Sequence, residues 1–223
     1  KNGFTLCCLN QTAWSDFRNV MSKFLPCLLG VGVNHTNLIV DSIVGSYLPE
    51  GELTLLHHAY RFLNVPLSAF AITASVTLLP YFSSVAIYAK KRLHFYLLEV
   101  AKVITWAALP TAFFIGWHSK NLFSMLFASY ASPEQISMAA TLLVMLVAGL
   151  PFLCLNRSLT KIFYSLGDTV TPTIVVGITT TLKIFGNIFS VFVYGGVYGI
   201  ILTTLLGALL HTPIMLWLLI KNH

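Results

Sequence analysis

The chain has 223 residues, of which 57% are hydrophobic and only 9% charged, against about 25% charged in an ordinary soluble domain. Continuous apolar runs of about 20 residues, punctuated by proline, glycine and capping signals, fit membrane-spanning helices and exclude a transmembrane barrel, whose strands would alternate. The formal charge of +6 is no nucleic-acid footprint, because basic residues in a membrane protein gather at the cytoplasmic ends of its spans.

Residues 1–19 mix polar and apolar side chains without a spanning run, and Trp14, Asp16, Phe17 and Arg18 read as an interfacial connector. The lysine at the first position suggests a piece of something longer. The first span is expected over 20–48, with Asn34, Asn37, Asp41 and Gly45 at helical spacing on one face. Pro49, Glu50 and Gly51 make a short turn, so the second span, 52–86, returns as the other arm of an antiparallel hairpin.

In that second span Thr54, His57, Arg61, Asn64 and Ser68 recur at intervals of three and four and share a face. Leu55, Leu56, Phe62, Leu63, Leu67 and Phe70 cover much of the rest. An arginine at membrane depth costs about 2.5–3.5 kcal/mol on insertion scales, so Arg61 is read as facing a water-filled cavity or a partner. The plainer alternative is that it snorkels to the outer headgroups. Pro66 and Pro80 each remove a backbone donor and are expected to bend or break the helix.

The third span is expected over 94–118, with Pro110 inside it and Glu99 and Lys102 one turn apart, a pair able to neutralise itself. The patch from Leu122 to Phe127 is too short to cross and is expected to lie at the outer interface. Ser132, Pro133 and Gln135 read as N-cap, first-turn proline and capping-box partner of a fourth span over 133–156. Gly149 and Pro151 interrupt it, and nothing stops the helix from running through Arg157 and Lys161 to Gly167.

Thr171 and Pro172 repeat the cap signal for a fifth span over 172–194, where Thr173, Thr180, Lys183, Asn187 and Ser190 fall near one face. Lys183 is a second intramembrane cation. The sixth span, 197–220, opens with Gly199, Thr203 and Gly207 at intervals of four, a small-residue seam for close helix packing. The whole reads as an all-α polytopic membrane protein, a six-helix lobe over 20–223.

Cys7, Cys8, Cys27 and Cys154 lack metal-ligand spacing and are read as structural. Adjacent His57 and His58 point about 100° apart on a helix, so no metal is expected, and no cofactor. The basic residues place the ends cytoplasmic: Lys1, Arg18 and Lys23 before span one, Lys90, Lys91 and Arg92 after two, Arg157 and Lys161 after four, Lys221 after six. The opposite loops carry Glu50, Glu52 and Glu134 with Lys120 as their one basic residue.

Striped helices and proline-interrupted spans describe half of a transporter better than a pore or an anchor. The intramembrane charges, Arg61, Lys102 and Lys183 against Asp41 and Glu99, leave a small cationic surplus that favours an anionic substrate. Asp41 and Arg61 lie at similar depth in the hairpin and are expected to pair, with a diphosphate competing for the guanidinium. The alternative is that Asp41 faces another helix. An intramembrane enzyme built on His57, His58 and Asp41 is a weaker reading, because no nucleophile sits at a fixed spacing from them.

The run from Leu28 to Ser83 resembles the seventh and eighth helices of the MurJ (MviN) lipid II flippases, members of the multidrug/oligosaccharidyl-lipid/polysaccharide exporter superfamily. The family's tyrosine-alanine-aspartate-arginine-leucine motif reads His58, Ala59, Tyr60, Arg61 and Phe62 here, and the later run closes at Leu78, Leu79 and Pro80. FYSLGDTVTP, from Phe163 to Pro172, matches a second motif.

The resemblance implies export of an undecaprenyl-diphosphate-linked peptidoglycan precursor across the bacterial inner membrane by alternating access of two six-helix lobes. This chain corresponds to the second lobe, with both termini cytoplasmic, and its partners would be that lipid, the surrounding membrane lipids and the N-terminal lobe. Arg61 matches an arginine that helps hold the diphosphate, and Thr54 a small hydroxyl residue before it. The candidate substrate-binding set is Arg61, Thr54, Asn64, Asp41, Asn37 and Lys183, with no catalytic residue. Tyr60 departs from the usual aspartate, and Asp41 stands where asparagine is common. The runner-up is a related exporter of another polyprenyl-linked glycan or an amphiphilic drug.

Overall fold

The computed structural model describes residues 39–88, 93–129, 131–194 and 196–222, together with scattered positions between 14 and 32. Every regular element among them is helical: α1 (39–45), α2 (Glu52–Tyr88), α3 (Leu93–Phe127), α4 (Pro133–Ala148), α5 (Leu150–Ser165), α6 (Val170–Tyr194) and α7 (Val197–Asn222). Helices α3, α6 and α7 are long and apolar enough to cross a membrane, and α4 with α5, bent by 48°, makes a fourth such unit.

Helix α2 packs chiefly against α4 and α5. Its buried side is the expected one, with Leu56, Leu63 and Leu67 in the core beside Leu142, Leu146 and Leu150. It runs as one helix through Pro66 and Pro80, so of the two expected outcomes, a bend or a break, neither proline produces the break. Proline costs one backbone hydrogen bond locally, a loss that membrane helices tolerate because neighbouring groups re-satisfy the freed backbone.

Helix α3 does not stop at His118. The stretch expected to lie at the interface forms its last turns, and Phe123, 2% exposed, meets the edge of Phe62 with ring centroids 4.9 Å apart. Ser119, Lys120 and Asn121 change the polarity of the surface without breaking the backbone, since none is proline or glycine. Lys102 does bond Glu99, at 2.9 Å, but on an exposed side of α3, so this pair leaves the set of buried charges.

The capping box of α4 forms as read, with Ser132 Oγ accepting from Gln135 N at 3.3 Å and Gln135 Oε1 from Ser132 N at 3.0 Å. Gly149 separates α4 from α5, and α5 ends just before Gly167, whose φ of +80° lies in the left-handed region. Helix α6 is capped by Asp168 instead of Thr171. Its Oδ1 accepts from Val170 N at 3.1 Å and Thr171 N at 3.0 Å, where a carboxylate also meets the positive end of the helix dipole.

The seam between α6 and α7 is tight at its start and open further on. A Cβ on Gly199 would overlap Ser190 Oγ, whereas one on Gly207 would meet nothing within 4 Å, because Gly207 borders a cavity. Cys154 is free and buried in the core, while Cys7, Cys8, Cys27, Asn34 and Asn37 lie outside the described residues.

Candidate functional site

Helical periodicity gathers Thr54, His57, Arg61 and Asn64 on one side of α2, and there, with Leu63 and Leu67 beside them, they line a cavity of about 620 Å³. Leu153 and Arg157 of α5 and Thr204 of α7 form the opposing wall. A second cavity of about 520 Å³ shares Asn64, Arg157 and Thr204 with the first and continues between α5, α6 and α7 past Thr160, Lys183 and His211. The two are arms of one chamber whose apolar walls carry these polar groups.

Arg61 is exposed to this chamber and has no carboxylate within 4 Å among the described residues. Arg157 likewise has none, and its Nη2 stands 3.5 Å from Asn64 Oδ1, a long contact across the α2–α5 interface. Sequence reasoning counted Arg157 among the loop charges after the fourth span and left it out of the site. The signal for it is the helix face shared by Leu153, Asn156, Arg157 and Thr160, which only the continuation of α5 past Gly149 and Pro151 makes relevant.

Asp41 does not hold Arg61 by any ion pair of the structure. Its Oδ2 accepts from Lys183 Nζ at 2.7 Å and its Oδ1 from Asn187 Nδ2 at 2.6 Å, with the side chain only 6% exposed. Counting residues along the hairpin equates the depths of Asp41 and Arg61 but does not fix their azimuths. Lys183 and Asn187, one turn apart on α6, offer two donors to two carboxylate oxygens. Thr203 of α7 donates to Asn187 Oδ1, so the network ties α1 to α6 and α7. The Tyr60 hydroxyl lies 3.3 Å from Thr204 Oγ1 and ties α2 to α7.

Of the candidate set, Thr54, Arg61 and Asn64 therefore share one cavity, Lys183 lines the second with its charge balanced by Asp41, and Asn37 falls outside the described residues. Among the described residues, the chamber keeps two guanidinium groups without a carboxylate partner on facing helices, Arg61 and Arg157. Each carries a planar fork of donors suited to bidentate contact with a phosphate.

Among curated relatives, the probable lipid II flippase MurJ of Aquifex aeolicus is 27% identical over 195 residues, which is 86% of this chain and 38% of that protein. The probable lipid II flippase MurJ of Vibrio cholerae is 26% identical over 206 residues, 91% of this chain and 39% of its own length. The chain thus spans well under half the length of these relatives.

Among solved structures, lipid II flippase MurJ in an inward closed conformation superposes with a TM-score of 0.77 at 21% identity, over 97% of this chain and 44% of that one. A superfamily transporter from Pyrococcus furiosus, described as having a binding pocket of reverse polarity, gives 0.76 at 17% identity over 87% of this chain and 43% of its own. An outward-facing multidrug resistance MATE transporter gives 0.72 at 17% identity over the same shares, 87% and 43%. These likenesses show a shared fold. The model of the family described as lipid II flippase MurJ matches residues 1–223, and the chain belongs to that family.

Proposed function

We propose that this chain supplies one lobe of an alternating-access flippase that carries a lipid-linked peptidoglycan precursor, an undecaprenyl diphosphate, from the inner to the outer leaflet of the bacterial cytoplasmic membrane. The observation that carries the reading is the pair of guanidinium groups, Arg61 on α2 and Arg157 on α5, lining one cavity of about 620 Å³ with no carboxylate beside either among the described residues. Cations at membrane depth are costly unless something anionic visits them. A diphosphate offers each arginine a bidentate partner. The fold by itself does not select this cargo, because a MATE transporter shares it.

In this reading Thr54 and Asn64 flank the diphosphate, and both termini of the chain are cytoplasmic. One lobe gives one wall of the cavity, so transport requires the other lobe to rock against it. The test is complementation of a flippase-depleted bacterium by a full-length protein containing this lobe. Arg61→Ala and Arg157→Ala are each expected to abolish growth while the protein still reaches the membrane. Full growth with either variant would remove that arginine from the proposal.

A further inference from the structure

We infer that the second arm of the chamber is a subsite for the uncharged, hydroxyl- and amide-bearing head of the ligand, read by hydrogen-bond acceptors that the protein leaves unfilled. The inference rests on the reading above, in which a diphosphate occupies the first arm.

The argument starts at Thr179. Its hydroxyl carries one proton and directs it to backbone carbonyls of its own helix, Val175 O at 2.9 Å with Val176 O at 3.2 Å. His211 Nδ1 lies 3.2 Å from the same oxygen. Assigning the hydroxyl proton to these carbonyls makes the histidine the donor in that contact, with its hydrogen on Nδ1 and Nε2 a bare acceptor. Nε2 is the one buried side-chain polar atom without a partner among the described residues. A buried acceptor left unpaired is uncommon and costly, and it calls for a donor.

The neighbouring groups have the same polarity. Thr160 gives its proton to Asn156 O at 2.9 Å, so its hydroxyl oxygen turns only lone pairs outward, whereas Thr204, which gives its own proton to Ile200 O at 2.8 Å, already faces the Tyr60 hydroxyl at 3.3 Å. The Asn156 amide gives one hydrogen to Ala208 O and accepts from Thr212 Oγ1 at its own oxygen. The Lys183 ammonium, which would otherwise make this arm anion-seeking, is balanced by Asp41 at 2.7 Å. The unfilled acceptors of this arm are therefore His211 Nε2 and Thr160 Oγ1, which seek O–H and N–H donors.

A cavity of about 520 Å³ falls inside the range of about 300–1,000 Å³ of small-molecule sites. Sugar hydroxyls and acetamido groups on a diphosphate are donors of this kind. His211 Nε2 is covered in the present conformation, and an incoming donor reaches it through a side-chain shift of the sort that accompanies ligand binding.

The experiment uses a full-length protein carrying this lobe, in detergent, titrated with two probes: a short-chain prenyl diphosphate and the same diphosphate bearing one amino sugar. His211→Phe keeps a ring and removes the acceptor; Thr160→Val keeps the shape and removes the hydroxyl. Each is expected to weaken binding of the sugar-bearing probe about five- to tenfold, the worth of one neutral hydrogen bond, and to leave the sugar-free probe unaffected. Equal weakening of both probes would make His211 and Thr160 structural and overturn the inference. Unchanged binding of the sugar-bearing probe in both variants would overturn it too. Arg61→Ala is the separate arm: it should weaken both probes, and if it weakens neither, the diphosphate reading falls whatever His211 does.

Discussion

The Lys183 ammonium lies 2.7 Å from Asp41 Oδ2 and joins α6 to α1 inside the lobe, with the second carboxylate oxygen taken by Asn187. Both side chains are largely buried, 12% and 6% exposed, so each charge depends on the other. The pair also decides which cations remain for a ligand, because it removes Lys183 from the count and leaves Arg61 and Arg157.

Breaking that pair should be costly. Lys183→Met strands a buried carboxylate and is expected to destabilise the protein by about 3–5 kcal/mol, seen as a lower unfolding temperature in detergent. Asp41→Leu together with Lys183→Met should recover most of the loss, because no unpaired charge then remains. A double variant as unstable as the two single losses added together would show that the residues are not coupled.

Close packing of α6 on α7 depends on Gly199. A side chain there would overlap Ser190 Oγ, so Gly199→Leu is expected to cost about 1–3 kcal/mol by overpacking, whereas Gly207→Ala enters open space and should be nearly silent. Unfolding temperatures of the two variants check this. Equal tolerance at both positions would contradict the seam.

The polar face of α2 was legible in the sequence because a period of 3.6 residues fixes the azimuth of Thr54, His57, Arg61 and Asn64 relative to one another within one helix. The Ser132–Gln135 box and the break at Gly149 were legible for the same reason: their geometry is local. The partner of Asp41 was not, since it depends on how α1 is rotated against α6, and depth along a hairpin carries no such information. Arg157 was missed because a cation near the end of an apolar run reads as a loop charge until the bent continuation of α5 turns it toward α2. The cap of α6 shifted from Thr171 to Asp168 because two signals competed within a few residues and the carboxylate is the stronger acceptor at a helix start.

The clustering of basic residues yields a prediction about orientation. In a background without native cysteines, a cysteine at Lys91 should be shielded from impermeant thiol reagents in intact cells, while one at Glu50 or Glu134 is labelled. Labelling at 91 from outside would invert the proposed orientation and the direction in which the chamber opens.

The central claim is that Arg61 and Arg157 grip one diphosphate together, and a double-mutant cycle on ligand affinity measures this most directly. In the full-length protein, Arg61→Ala should weaken binding of a prenyl diphosphate about 10- to 150-fold, the worth of a charge-assisted hydrogen bond, and Arg61→Lys should weaken it less, because an ammonium keeps the charge but loses the fork. Arg157→Ala should behave like Arg61→Ala, and the combined variant should lose less than the two losses summed, by more than about 0.5 kcal/mol, since both groups contact the same ligand. Wild-type affinity in Arg61→Ala, or strict additivity of the two losses, would contradict the account.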